Sequence, residues 1–263
     1  MRQPIYLDCN ASAPLRPEAV ECMRALMGPA RNPSSIHSFG RNAKQIVEKA
    51  RTQLAELTSG DPNGFMFTSG GTEANNTALL GFEKVITCIT EHDAVLAARP
   101  DAEKIGVGAD GEINLVELET QIQKAKNGGG EIVVSVMLVN NETGRIQPIE
   151  KLLEICQFYK VVFHSDMVQS VGHFDLNLSE IPVDFIAAAA HKFHGPKGVG
   201  FAFLRKNSKI KSLIFGGGQE RGSRAGTEPV HNIAGMETAL IKAQEHLAEE
   251  RAYIEEIKWY FKE

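Results

Sequence analysis

The stretch Phe185-Ile-Ala-Ala-Ala-Ala-His-Lys-Phe-His-Gly-Pro-Lys-Gly-Val-Gly200 decides how the chain reads. A run of small apolar residues ends on His191 and Lys192, and a glycine-rich turn follows at once. A buried strand that delivers a lysine into a tight loop desolvates an ammonium, which is costly. The usual relief is a depressed pKa, and a lysine so tuned is a nucleophile toward carbonyls. Upstream, Val161-Val-Phe-His-Ser-Asp166 is a second strand that ends in an acid. A lysine that holds an aldehyde and an aspartate that keeps a pyridine nitrogen protonated are what pyridoxal 5'-phosphate (PLP) needs to act as an electron sink. Each segment alone also reads as a strand terminus or a helix cap; the pairing favours the cofactor.

Outward from this stretch the pattern is α/β. Helices are expected over 18–27, 43–57, 115–125 and 149–158, and one from the Ser69-Gly-Gly-Thr-Glu73 turn to about Leu80. A further helix starts near Ala94, and a long one runs from Ile233 to the C-terminus. Strands are expected over 64–68, 84–90, 131–139, 161–165, 185–190 and 199–204. Uninterrupted apolar strands alternating with helices predict a mostly parallel sheet covered on both faces. No internal repeat or low-complexity linker interrupts this order.

Composition narrows the function. The 263 residues are 43% hydrophobic and 23% charged, with a formal net charge of -5. That balance gives no reason to expect nucleic acid as a partner. No apolar run approaches the length of a membrane span, and the N-terminus has no secretory apolar region, so a cytoplasmic location is expected. Cys9, Cys22, Cys88 and Cys156 are scattered without a CxxC pair, which suggests reduced thiols and no metal site. Cys22, Cys88 and Cys156 read as core residues.

Ligands of open α/β sheets collect at the carboxyl ends of the strands, and five loops there carry suitable groups. Gly71 and Thr72 open a helix, whose free amides favour a phosphate. His92 follows a strand and can stack on a ring or move protons. Asn140 and Asn141 read either as turn formers or as donors to a ring oxygen. Gln169 lies one turn beyond Asp166. The stretch Gly216–Thr227, with Arg221 and Arg224, suits an anion or a solvated loop.

Together these segments resemble the cysteine desulfurases of the NifS/IscS type, in the class V aminotransferase branch of fold-type I PLP enzymes. The resemblance is carried in order by Tyr6-Leu-Asp-Cys-Asn-Ala11, Asn32-Pro-Ser-Ser-Ile-His37, Phe67-Thr-Ser-Gly-Gly-Thr-Glu-Ala-Asn75, Glu91-His-Asp-Ala-Val95, Val139-Asn-Asn-Glu-Thr-Gly144, His164-Ser-Asp-Met-Val-Gln169, Ala190–Gly198 and Gly216–Thr227. It implies a three-layer large domain over 16–245, an N-terminal segment 1–15 near the active site, and a helix 246–263 leading toward a small domain. By the same resemblance Lys192 binds PLP covalently and shuttles the α-proton, His92 stacks on the ring as acid/base, and Asp166 pairs with the ring nitrogen. Gln169 contacts the phenolic oxygen, Asn141 lies close to cofactor or substrate, and Gly71, Thr72 and His191 hold the phosphate. Thr227 reaches the phosphate of a neighbouring subunit, which implies a homodimer.

The departures matter as well. The family continues into a small C-terminal domain that bears the nucleophilic cysteine and a carboxylate-binding arginine. The chain is expected to be truncated before both, which puts the persulfide step in question; Cys9 is a minor candidate for the missing thiol. Ala189 stands where the family has a hydroxyl residue, so one phosphate hydrogen bond is lost, at a cost of roughly 1–3 kcal/mol in cofactor binding. Three readings stay open. One is conversion of L-cysteine to L-alanine, with sulfur passed as persulfide toward iron–sulfur clusters or thio-cofactors through an acceptor or scaffold protein. The second is a PLP lyase of another outcome, such as β-elimination. The third is a non-catalytic PLP-binding paralogue that dimerises.

Overall fold

The strands are apolar on both sides, and the structure buries both. The computed structural model describes residues 4–206, 208 and 210–262. In chain order the elements are α1 (Pro17–Met27), α2 (Ser38–Thr58), β1 (Phe65–Thr68), α3 (Gly71–Leu79), β2 (Lys84–Cys88) and α4 (Asp93–Leu96). They continue with β3 (Glu103–Ile105), α5 (Leu115–Asn127), β4 (Ile132–Ser135), α6 (Ile149–Tyr159), β5 (Val162–Asp166), β6 (Phe185–Ala189) and β7 (Gly200–Leu204), and end with α7 (Val230–Glu245) and α8 (Leu247–Lys262). The strands form one seven-stranded sheet in the order β1-β7-β6-β5-β4-β2-β3. Only the pairings of β7 with β1 and with β6 are antiparallel; every other pair is parallel.

Successive side chains of a strand point to opposite faces, and the core divides accordingly. Phe65, Phe67, Ile86, Val134, Phe163, Ile186, Phe201 and Phe203 share one cluster with α2, α5, α6 and α7. Met66, Ala187 and Ala202 face the other way, against Ala74 of α3. Val85 and Val133 meet Leu79 and Val95 on that same second face. The side chains under α3 are small, so that helix lies close on the sheet and its N-terminus reaches the sheet's carboxyl edge. The result is the expected three layers.

Backbones crowd together at Gly200, which pairs with both Thr68 and Ala189. A Cβ there would lie 2.3 Å from Ala188 O and 2.9 Å from Gly70 Cα, both backbone atoms that cannot step aside. Gly200→Ala is therefore expected to destabilise the fold by about 3 kcal/mol, the upper end of ordinary overpacking. A urea-unfolding midpoint equal to that of the parent protein would contradict this packing.

Local pattern misjudged several boundaries. The expected C-terminal helix is two helices, broken at His246 (φ -103, ψ 3). The bend brings Glu250 to Arg16 and sets the Arg251 guanidinium 5.6 Å from the Phe174 ring, contacts between residues distant in sequence. Helix α2 begins five residues before the expected start because the His37 imidazole caps it, accepting from Gly40 N–H at 3.2 Å. The helix near Ala94 is one turn only. Strand β3 was not expected; it is a three-residue edge strand whose Glu103 and Lys104 are exposed, and short charged edges carry little apolar signal. The run 131–139 leaves the regular strand at Ser135, yet Val136 N–H and Leu138 N–H still bond to His164 O and Asp166 O.

Candidate active site

The carboxyl ends of β1, β2, β4, β5 and β6 meet at one edge of the sheet, where a cavity of about 480 Å³ opens. It is lined by Gly71, Thr72, His92, Asn141, Asp166, Gln169, His191 and Lys192, and also by Ala189. These are all of the expected site residues except Thr227, which is exposed on its loop and does not line this cavity.

Lys192 leaves β6 through a single 3-10 turn, Ala190–Lys192. That turn is held by its carbonyls: Ala13 N–H donates to His191 O at 2.9 Å and Arg16 N–H to His194 O at 3.0 Å. His173 Nε2 lies 3.1 Å from Lys192 O; a carbonyl only accepts, so this nitrogen carries the proton. The ammonium donates to Asn10 O at 2.5 Å. Partial burial lowers the Lys192 pKa, partly offset by Asp166 and Asp8, as a carbonyl-reactive lysine requires.

Asp166 ends β5 beneath the cavity. Its Oδ1 accepts from Val168 N–H at 2.9 Å and its Oδ2 from Asn75 Nδ2 at 2.6 Å. Both donors are neutral, and burial raises the carboxyl pKa despite them. The acid faces the cavity with no side-chain cation bonded to it among the described residues, so a ring N–H⁺ is the partner it fits. Glu91 is a second buried acid near it. One of its oxygens takes Met137 N–H and the other has no partner; burial, with the nearby Asp166 charge, holds its pKa well above the usual range. Burial and the neighbouring Asp166 therefore both favour the neutral form of Glu91.

His92 caps α4: its Nδ1 accepts from Ala94 N–H at 3.0 Å, so the proton sits on Nε2. The two asparagines divide their work. Asn140 is the turn former, its Oδ1 taking Glu142 and Thr143 N–H. Asn141 is free of that duty and lines the cavity. Gln169 Nε2 and the Lys192 ammonium share Asn10 O as acceptor, at 3.1 and 2.5 Å. Asp8, Asn10 and Ala11 line the cavity, while neighbouring Cys9 is exposed and does not.

At the other end Gly71 opens α3, whose first N–H groups lack intrahelical partners. A Cβ on Gly71 would meet Val168 Cγ2 at 2.6 Å, so the backbone is bare at a point where an anion could approach closely. His191 Nδ1 is buried without a partner, and burial, with Lys192 and Lys197, lowers the pKa of its imidazole. A carbonyl-reactive lysine, a buried acid and an anion cradle in one cavity fit PLP group by group. The arginines of 216–227 are committed elsewhere: Arg224 forks onto Glu73 at 2.9 and 3.1 Å, and Arg221 donates to Asn63 O at 2.7 Å.

Pattern reading passed over Asn75, Asn10 and Glu91. Asn75 had a usable signal, an amide among the alanines of the sheet-facing side of α3. Another buried polar group lies deeper, where His164 Nδ1 meets Ser135 Oγ at 2.9 Å. Burial lowers the His164 pKa from 6.5 to about 3. The unfolded chain binds a proton between these values that the fold refuses, so stability falls as pH drops from 6.5 toward 3. His164→Asn should remove this loss. From pH 6.5 to pH 4 the parent should lose about 3 kcal/mol relative to the variant in urea unfolding, at 1.36 kcal/mol per pH unit. Parallel pH profiles would refute the assignment.

Residues 5–262 match the aminotransferase class-V family. The chain is 39% identical to the cysteine desulfurase IscS of Dictyoglomus turgidum, over 99% of its own length and 69% of that protein's. A solved NifS-like protein superposes with a TM-score of 0.91 at 34% identity, over 98% of this chain and 74% of that one. A structure of SspA in complex with cysteine superposes with a TM-score of 0.82 at 31% identity, over 89% and 72%. The chain belongs to the class-V aminotransferase family, on its NifS/IscS-type branch. Among the described residues no helix is long and apolar enough to cross a membrane.

Proposed function

We propose that the chain is a PLP-dependent enzyme that removes sulfur from L-cysteine and leaves L-alanine. The observation that carries this reading is the meeting of Lys192, Asp166, His92 and the N-terminus of α3 around one cavity. The names of the IscS relatives and of the cysteine complex of SspA support the substrate class. Bound PLP supplies an electron sink for the substrate's α-carbon. Lys192 would hold the aldehyde carbon and would carry the substrate α-proton on Nζ. Asp166 would accept from the ring nitrogen and keep that nitrogen protonated. Gln169 would donate to the ring hydroxyl, and His92 would lie against the ring and offer its Nε2 proton. Gly71, Thr72 and His191 would hold the phosphate, with Asn141 beside the substrate.

For sulfur transfer, an acceptor thiolate bonds to the substrate Sγ as the Cβ–Sγ bond breaks, and Cβ takes up a proton. The cavity lining contains no cysteine, so the acceptor comes from outside it. That same feature favours a second reading, β-elimination, in which the sulfur leaves as free sulfide with pyruvate and ammonia. Thr227, exposed on its loop, is assigned to the phosphate of a second copy in a homodimer.

The test is the visible absorption spectrum of the protein after incubation with PLP, before and after L-cysteine. A yellow band that shifts with cysteine supports the reading. Alanine with protein-bound sulfur then identifies desulfuration, and pyruvate with sulfide identifies elimination. A protein that remains colourless with PLP refutes both.

A further inference from the structure

We propose that Ser12 and Lys197 complete the phosphate end of the cofactor site in this chain. The inference rests on the PLP reading above and assigns groups that reading does not use. A second cavity, also of about 480 Å³, shares Ala11, Gly71, Thr72 and His191 with the first and adds Ser12 and Lys197. Two polar atoms of its wall, Ser12 Oγ and His191 Nδ1, are buried without a hydrogen-bond partner. Such atoms are uncommon, because an unmet buried group carries its full desolvation cost. Two of them around one cavity at a helix N-terminus mark a place for ligand oxygens.

The charge there is positive. Lys197 lines the cavity, and its field is one of the causes that lower the His191 pKa. The acid in the wall, Glu73, is neutralised: both its oxygens take the Arg224 fork, and it accepts Ser69 N–H at 2.8 Å. Ser12 is fixed relative to His191, since the next residue, Ala13, donates its N–H to His191 O at 2.9 Å. The methyl of Ala189, also in the wall of the first cavity, has no proton to donate. Ser12 adds a second hydroxyl to that of Thr72, in the place of the donor that Ala189 lacks, and Lys197 adds a charge; a phosphomonoester dianion matches both.

The experiment compares PLP with pyridoxal, which has the same ring and aldehyde but no phosphate. Both are titrated into the full chain and read by equilibrium dialysis and by the visible band. Ser12→Ala and Lys197→Met are each expected to weaken PLP roughly tenfold and several-fold, respectively, with pyridoxal unchanged. Ser12→Thr should keep parental affinity, and Ala189→Ser should recover part of the loss in Ser12→Ala. Thermal midpoints verify that the variants fold. Equal weakening of both ligands, or of neither, overturns the inference and leaves the PLP reading standing. A parent protein that binds PLP no better than Lys192→Ala does overturns both.

Discussion

Lys192→Ala is expected to abolish the covalent PLP adduct and to cut turnover of L-cysteine by at least about 10²–10⁴-fold, the range for loss of a positioned proton carrier. The side chain is placed for this and for little else. Its bond in the structure is to Asn10 O, a backbone acceptor that Gln169 also uses, and Asp166 keeps its bonds from Val168 N–H and Asn75, so the variant should fold. The 3-10 turn that carries it is fixed from outside by Ala13, Arg16 and His173, all of which survive the substitution. Borohydride treatment followed by intact mass measurement reads the adduct directly. The parent should gain one reduced cofactor and the variant none, while Lys197→Met should still be labelled. An adduct that persists in Lys192→Ala, on another lysine, would remove the basis of the proposed function.

Most of the cavity lining was legible because it lies where strands end. Lys192, Asp166, His92 and Gln169 each follow an apolar run directly, and a chain that alternates strand and helix must bring those ends to one edge. What local pattern could not give were the groups that hold them. Asp166 takes Asn75 from a helix ninety-one residues earlier, and Lys192 takes Asn10 from one hundred and eighty-two residues earlier. Such pairs depend on sheet order, which no short window contains. The break at His246 escaped for a similar reason: Gln244-Glu-His-Leu-Ala248 holds no glycine or proline, and the bend serves contacts to Arg16 and Phe174. Thr227 marks the opposite limit, a residue implied by resemblance that a single chain leaves away from its own cavity.

The loop bearing Thr227 is anchored by a buried ion pair, and breaking it from one side should be severe. Arg51 of α2 is 3% exposed and forks onto Glu220, with both N···O distances 3.0 Å. It also donates to Phe65 O and lies 4.6 Å over the Phe67 ring, while Glu220 accepts Phe67 N–H at 3.0 Å. Glu220→Ala would leave the buried guanidinium with only the half-exposed Glu48, 3.3 Å from its Nε, as a carboxylate partner, an expected cost of about 3 kcal/mol. Arg51→Met combined with Glu220→Leu should cost less than the two single changes summed, because neither charge is then stranded. Four proteins in a urea double-mutant cycle measure this, and a coupling near zero would mean that the pair does not act as a unit. One refinement separates charge from backbone. Glu220 and Arg221 sit at φ 44 and 56, a left-handed pair of non-glycine residues whose strain is about 1 kcal/mol each. Glu220→Gly relieves that strain while losing the same carboxylate, so it should be roughly 1 kcal/mol less damaging than Glu220→Ala. If glycine is instead the worse substitution, the loop's shape is not set against its own backbone preference, and the carboxylate is not what forces residues 220 and 221 into it.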